Sequence, residues 1–291
     1  LEAEYGANNH HIMRCGTMPA IAALMFPEIP AFRPLEAFAR DTFAAHLERG
    51  VLDDFGYEER SVSYTAGSLQ MIGTPELLYR INGRSLLDRP HAQRLVRAMM
   101  TTTRLARTSP ASSAAASDGG DTAPRSPDIA FVHLRIGDGE PDRDRYAAFA
   151  RTSERLAALE HTDAEPFGHL DQPNLLYLPR AGYVVARTPR VAERCAEVSV
   201  CVPDGTNRVV GHSHDDTLSL LYFVDGHTVI GDPASEFYHY VNLPEHRNTP
   251  MRGYTYAAEA HNVVLPDGEA DRSVASYIKT WNAPVVPVHS I

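Results

Sequence analysis

The sequence predicts an α+β protein in which a helical N-terminal region is followed by an antiparallel sheet domain, with the boundary near residue 170. Before that boundary, apolar residues recur at helical spacing, whereas after it short apolar runs alternate with turn residues. Residues 108–127 are rich in Ser, Ala, Gly and Pro, and we expect a disordered surface loop there. With 291 residues, the chain suits one large or two ordinary domains.

Four helices are expected in the N-terminal region. Pro34 opens the first, in which Leu35, Phe38, Phe43 and Leu47 fall near helical spacing before Gly50 ends the helix. The other three follow the same kind of apolar pattern. The four segments cover about 34–50, 61–80, 90–105 and 145–159.

Two β-hairpins and a later strand are expected after the boundary. The first hairpin pairs 175–178 with 183–186. The second pairs 218–224 with 227–230 around Asp225-Gly226, since Asp-Gly supplies the positive φ angles of a type I′ turn. A further strand is predicted over 261–265.

Charge and cysteine content exclude some classes of protein. The net charge of −10, from 27 basic and 37 acidic residues, disfavours nonspecific nucleic-acid binding. No run of about eighteen apolar residues is present, so we expect no membrane-spanning helix. Cys15, Cys195 and Cys201 form no CxxC pair and leave the redox compartment open. The chain starts at Leu1 rather than Met, so we expect its true N-terminus to be missing.

The segment 211–219 (GHSHDDTLS) packs two His and two Asp into five positions directly ahead of an apolar strand. In an extended segment His212 and His214 point to the same face, because side chains alternate with period two. Two such imidazoles bind a metal, or one binds the metal while its neighbour meets a substrate anion. Hairpin pairing brings Asp232 back beside His214, and two His with one Asp, including His261 of the later strand, suit zinc. The alternative is a pair of surface histidines on a loop.

Two further polar groups lie in the helical region. Asn8-Asn9-His10-His11 opens it, and an N-cap is the ordinary interpretation of such a run. Tyr64 follows Arg60 by about one helical turn, and the alternative to a functional tyrosine is one that faces the core.

The order of these motifs resembles the heparinase II/III type of polysaccharide lyase. It consists of Asn-His, a Tyr about fifty-five positions later, Gly-His-x-His-x-Asp-x-Leu-Ser, Asp-Pro and Ala-His-Asn. Asn8-Asn9-His10 is most similar to the oligoalginate lyases, and the likeness spans roughly residues 5 to 268. It implies a partial (α/α) toroid over 1–170, an antiparallel β-sandwich over 171–291 and an active site between them. Family members are much longer, so we expect a shortened chain.

The resemblance also implies a reaction, the β-elimination of uronate glycans. A base removes the proton on C5, and the glycosidic oxygen leaves from C4. Tyr64 is the expected base, while Asn9, His10 and His212 neutralise the substrate carboxylate. Whether the elimination is syn or anti stays open. The other residues expected to contact substrate are Arg60, Tyr238, Tyr240 and Arg252.

Residue-by-residue carry-over from the family places a structural zinc on His214, Asp232 and His261. The metal-free alternative is a hydrogen-bonded cluster of the same residues. The expected partner is an acidic polysaccharide, with alginate first and heparin or heparan sulfate next, and a periplasmic or secreted location is favoured. Two rival functions stay open. One is a non-catalytic carbohydrate-binding protein, and the other is a metal-dependent hydrolase, whose motif has His where this chain has Thr217.

Overall fold

A computed structural model describes residues 9–59, 61–106, 143–160, 175–187, 196–201, 214, 216, 218–224, 227–232, 254 and 257–263. These residues belong to two compact units, one mainly helical and one containing the sheet. The predicted loop at 108–127 lies outside them.

The helical unit confirms the four predicted helices, whose ends differ from the expected ones by one or two residues. Ahead of them the structure has a short α1 and a π-helix over Ile12–Thr17, which were not predicted, and α2, which lies in the region 17–106 that the sequence predicts to be helical without giving bounds for it. The bounds are α1 Asn9–His11, α2 Met18–Met25, α3 Arg33–Gly50, α4 Val62–Ile81, α5 Arg89–Ala106 and α6 Arg143–Glu160.

The core of the helical unit is formed by apolar side chains from α3, α4, α5 and α6. Phe43 and Leu47 of α3 are fully buried, as the helical spacing predicts. Phe38 was expected beside them but is 50% exposed. Five residues separate Phe38 from Phe43, which places them about 140° apart around the helix, so Phe38 lies outside the buried stripe.

Helix α4 contains a proline in its interior, at Pro75. Proline has no backbone N–H, so it cannot donate the usual helical hydrogen bond to the carbonyl of Met71, four residues earlier. The Thr17 hydroxyl donates to that carbonyl instead, at 2.8 Å. The segment that follows α1 is thereby connected to the helix that carries Tyr64.

The second unit contains a five-stranded antiparallel sheet in the order β1-β2-β3-β4-β5. Both predicted hairpins are confirmed, β1 with β2 and β4 with β5. Strand β3 between them was not predicted. The bounds are β1 Leu175–Leu178, β2 Tyr183–Arg187, β3 Ala196–Cys201, β4 Leu220–Val224 and β5 His227–Ile230.

Two predicted strand starts were wrong. Strand β4 begins at Leu220 rather than Leu218, because Leu218 has a positive φ of 65° and lies in a turn. His261 ends a 3-10 helix, Ala258–Ala260, and 261–263 form no strand. Since the described strands make up one sheet, the two-layer sandwich stays a prediction, and so does the toroid. Across the described ranges, no helix has the length and apolar content needed to span a membrane.

Candidate functional site

The sheet unit gathers four polar side chains, which we name the sheet-end cluster: His214, Asp216, Asp232 and His261. All four are buried, with between 3% and 8% of their surface exposed. The His261 Nδ1 and Asp232 Oδ2 atoms lie 2.6 Å apart, at hydrogen-bonding distance. The His214 and His261 rings have their centroids 5.3 Å apart. The structure therefore brings together the three residues expected to bind zinc.

Local geometry explains how distant parts of the sequence meet there. Asp232 lies two residues after the end of β5, and the turn that includes Asp216 leads into β4, so the β4–β5 pairing brings their segments together. The Ser219 amide donates to the Asp216 carbonyl at 2.8 Å. The Asn262 side-chain amide donates to the Gly231 carbonyl at 2.7 Å, which connects the segment of His261 to the end of β5.

Asp216 is the member of the cluster that the sequence analysis did not assign. Burial raises the pKa of its carboxyl above the ordinary value, His214 and His261 oppose that rise, and Asp232 adds to it. Asp216 is therefore electrostatically coupled to all three. Its spacing could have revealed it, since Asp216 lies two residues after His214 and alternation places both side chains on one side of an extended chain.

The donor chemistry of the sheet-end cluster suits zinc, which accepts imidazole nitrogen and carboxylate oxygen. The His261 Nε2 atom is buried and has no hydrogen-bond partner among the described residues, as expected of a nitrogen available to a metal. Within the part of the chain that the structure describes, however, no three such side chains are arranged to hold a metal ion. The contact between His261 and Asp232 matches the metal-free alternative, so zinc stays a prediction.

The helical unit contains the other predicted residues that the structure describes. Asn9 and His10 begin α1, with His10 exposed and Asn9 half-buried. Tyr64 is the third residue of α4 and is half-buried rather than enclosed in the core. The remaining predicted residues lie outside the described ranges: Arg60, His212, Tyr238, Tyr240 and Arg252.

A pair of histidines beside Asn9 and His10 was missed by the sequence analysis. The His11 Nδ1 atom lies 2.9 Å from His46 Nε2, at hydrogen-bonding distance, and the ring centroids are 5.1 Å apart. His46 lies on α3 and is 5% exposed. Its pKa is lowered to about 4, mainly by burial and in smaller part by the charges of His11 and Arg49. The sequence did contain a signal for this pair, because His46 is a polar residue within the apolar stripe of Phe43 and Leu47.

A second buried polar group lies just ahead of α4. Glu59 is 1% exposed, and burial raises the pKa of its carboxyl to about 8, with a further contribution from Glu58. The Tyr57 phenol is also buried, and its pKa is raised. Neither side chain makes a hydrogen bond in good geometry with a described residue, although Ser68 lies close enough to oppose the rise at Tyr57. This group too was not predicted.

Comparisons with known proteins give fold neighbours only. No protein-family model matches the sequence, and no curated protein sequence matches it. Among solved structures, a heparinase III matches with a TM-score of 0.65 at 14% identity, covering 92% of this chain and 39% of its own. The heparan sulfate lyase HepC from Pedobacter heparinus matches with a TM-score of 0.60 at 15% identity, covering 90% of this chain and 38% of its own.

A further heparinase III structure matches with a TM-score of 0.63 at 14% identity, and the match covers 89% of this chain. The chain spans less than two fifths of the length of these structures. At such low identity the likeness establishes the fold. The resemblance predicted from the ordered motifs is thus confirmed in three dimensions: the chain has the fold of the heparinase III structures over about two fifths of their length.

Proposed function

We propose that this chain is a polysaccharide lyase that cleaves uronate-containing glycans by β-elimination. The observation that carries the proposal is the match to heparinase III structures over about nine tenths of the chain. Of the candidate substrates, heparan sulfate is favoured by the name of one fold neighbour, and alginate by the Asn8–His10 motif.

The chemical difficulty of the reaction is charge. Removing the C5 proton beside a carboxylate builds a second negative charge, so groups that neutralise the carboxylate stabilise the transition state most. Asn9 donates a neutral amide hydrogen bond, and the exposed His10 adds a positive charge when it is protonated. Both lie at the start of α1, where substrate has access to His10.

Tyr64 is the base in this proposal. An ordinary tyrosine has a pKa of about 10 and is a weak base at neutral pH. Tyr64 lies in the first turn of α4, and in this proposal the partial positive charge of the backbone N–H groups at that helix end would stabilise the phenolate. The phenolate would accept the C5 proton, and the same hydroxyl would protonate the leaving oxygen in a syn elimination.

The sheet unit contributes through residues that the family resemblance assigns. His212 would complete the binding of the carboxylate, and Arg60, Tyr238, Tyr240 and Arg252 would contact the sugar. His214, Asp232 and His261 would bind a structural zinc, which would cross-link β5 to the segment after the 3-10 helix. None of the proton transfers is assigned to that metal.

The test is ultraviolet absorbance from the new C4–C5 double bond, followed with heparan sulfate, heparin, alginate oligomers and hyaluronan. We expect the absorbance to rise with one of them and Tyr64→Phe to lower the rate by at least about 100-fold, since it removes the base. Tyr177→Phe, which alters an exposed tyrosine of β1, is the matched control and should retain the rate.

Each contrary outcome points to a different function or a different base. Binding of a saccharide without any absorbance change identifies the non-catalytic alternative. Metal-dependent cleavage without the double bond identifies the hydrolase. A rise that survives Tyr64→Phe shows that another group is the base.

A further inference from the structure

The histidine pair between α1 and α3 gives His46 a role that neither the sequence motifs nor the fold neighbours assign. We propose that His46 is a positioning residue for the carboxylate-binding residues Asn9 and His10, acting through its contact with His11. The inference rests on the proposed function, because Asn9 and His10 are assigned to the substrate carboxylate there.

The first step of the argument is the contact itself. His11 is the last residue of α1 and follows His10 directly, so the orientation of its ring is coupled to the backbone that carries Asn9 and His10. The 2.9 Å separation of His11 Nδ1 and His46 Nε2 requires one nitrogen to donate and the other to accept. Such a pairing fixes the tautomer and the orientation of both rings.

The second step is the rigidity of the support. His46 is 5% exposed and lies near the last turn of α3, between the core residues Phe43 and Leu47. Directly after α1, Gly16 of the π-helix packs on Phe43 so closely that a Cβ there would lie 2.2 Å from Phe43 Cε1. The Asn9–Thr17 segment is thus fixed on α3 at two points, His46 and Phe43.

The third step is charge. Burial keeps His46 neutral through the physiological range, because its pKa is lowered to about 4, and the charged groups that act on it are His11 and Arg49. A neutral imidazole orients His11 without adding charge next to the substrate carboxylate. Misplacing a neutralising group by about 1 Å is enough to slow an enzyme by about 100-fold.

The experiment compares uronate oligomers as free acids and as methyl esters, measuring affinity in the Tyr64→Phe background and turnover in the wild-type background. The ester lacks the negative charge that Asn9 and His10 recognise. We expect His46→Leu to lower affinity for the free acid and to reduce kcat/KM on it by about 10- to 100-fold, while affinity for the ester changes by less than about threefold.

Two variants separate positioning from folding. His46→Gln keeps a hydrogen-bonding group near the place of Nε2 and should restore the preference for the free acid to within about threefold of wild type. His91→Leu is the matched control, since the ring of His91 contacts Asp88 and Glu48 at the surface of the same unit. It should leave the preference unchanged.

The outcomes distinguish this inference from the proposed function. A wild-type chain that prefers the free acid but forms no double bond contradicts the lyase, whereas loss of that preference in His46→Leu still supports the positioning role. A His46→Leu chain that melts earlier yet retains both preference and turnover assigns His46 to folding alone and overturns the inference. So does a wild-type chain without any preference for the free acid.

Discussion

At the scale of single residues, two glutamates of the helical unit are equally buried but differ in their partners. Glu59 and Glu76 are both 1% exposed. The Glu76 carboxylate accepts hydrogen bonds from the Leu86 and Leu87 amides at 3.0 and 2.9 Å, and from Arg80 Nε at 2.6 Å. Glu59 has no such partner among the described residues. Replacing the carboxyl by a neutral amide should therefore stabilise the fold at Glu59 and destabilise it at Glu76.

Glu59→Gln is expected to stabilise the chain at neutral and alkaline pH. The folded pKa of Glu59 is about 8, raised above an unfolded value near 4.5, so the folded state binds the extra proton between these values. Its contribution to stability is fully present below the unfolded value and is lost as the pH rises toward 8. Urea unfolding from pH 4 to 9 should show a gain of about 1–3 kcal/mol for the variant, appearing above pH 5.

Glu76→Gln is the matched control for that measurement. It removes a charge that Arg80 and two backbone amides stabilise, so we expect a loss of about 1–3 kcal/mol at neutral pH. A pH-independent effect of Glu59→Gln would contradict the assignment of a neutral buried carboxyl.

At the residue scale, the sequence predicted the approach of His214 and Asp232, because pairing of β4 with β5 brings their segments together. His261 joins them from the end of a 3-10 helix and not from the strand that was predicted for it. Glu59 and His46 were missed because burial of a polar residue depends on partners far away in sequence. Composition and periodicity do not specify these partners.

At the scale of elements, the contact of the π-helix with α3 depends on a missing side chain at Gly16. A Cβ at that position would meet three atoms of the Phe43 ring, all within 3.0 Å. The ring is fully buried and has no free direction in which to move.

Gly16→Ala is therefore expected to destabilise the chain by about 1–3 kcal/mol, as an overpacked core does. Gly73→Ala is the matched control on α4. Its Cβ would meet the sulfur of Met99 at 2.8 Å, and the flexible thioether can move aside. Thermal unfolding of the two variants provides the comparison. An equal loss of stability in both would contradict the prediction that the close contact with Phe43 makes Gly16 the more sensitive position.

The elements that the sequence predicted correctly are those with a regular apolar period and clear ends. Helix α3 has Pro34 at its start and Gly50 at its end, and both lie where the pattern placed them. Strand β3 was missed although its signal was present, since Ala196–Cys201 (AEVSVC) alternates apolar with polar residues and a Pro-Asp-Gly turn signal follows shortly after it. The start of a strand at His261 was wrong because a local 3-10 turn precedes it, which the apolar run after His261 does not reveal.

At the scale of the whole molecule, the division into two units predicts that zinc changes hydrogen exchange in one of them only. The proposed ligands all belong to the sheet unit, so zinc should increase hydrogen-exchange protection around β5 and 257–263. Helices α3 and α5 of the other unit should change little. His261→Ala should abolish the gain, and His91→Ala, in the helical unit, should retain it. If zinc does not change hydrogen-exchange protection in the wild-type chain, the metal-free, hydrogen-bonded cluster is the correct interpretation.

The order of the motifs along the chain predicted the heparinase-like fold, and the structural comparison confirmed it at 14–15% identity. The layering of the sheet unit stays a prediction, since a sandwich is defined by two sheets that pack face to face. Sequence alternation locates strands, but it does not specify which sheet each strand joins.

Pro75 has a consequence for protein engineering. A designer seeking a more regular α4 would replace this proline, since it disfavours a helix interior by about 3 kcal/mol relative to alanine. An alanine would restore an N–H that competes with Thr17 for the Met71 carbonyl. The more ideal helix would thus weaken the link between the segment of Asn9 and the helix of Tyr64, so local regularity and assembly of the proposed site place opposite demands on position 75.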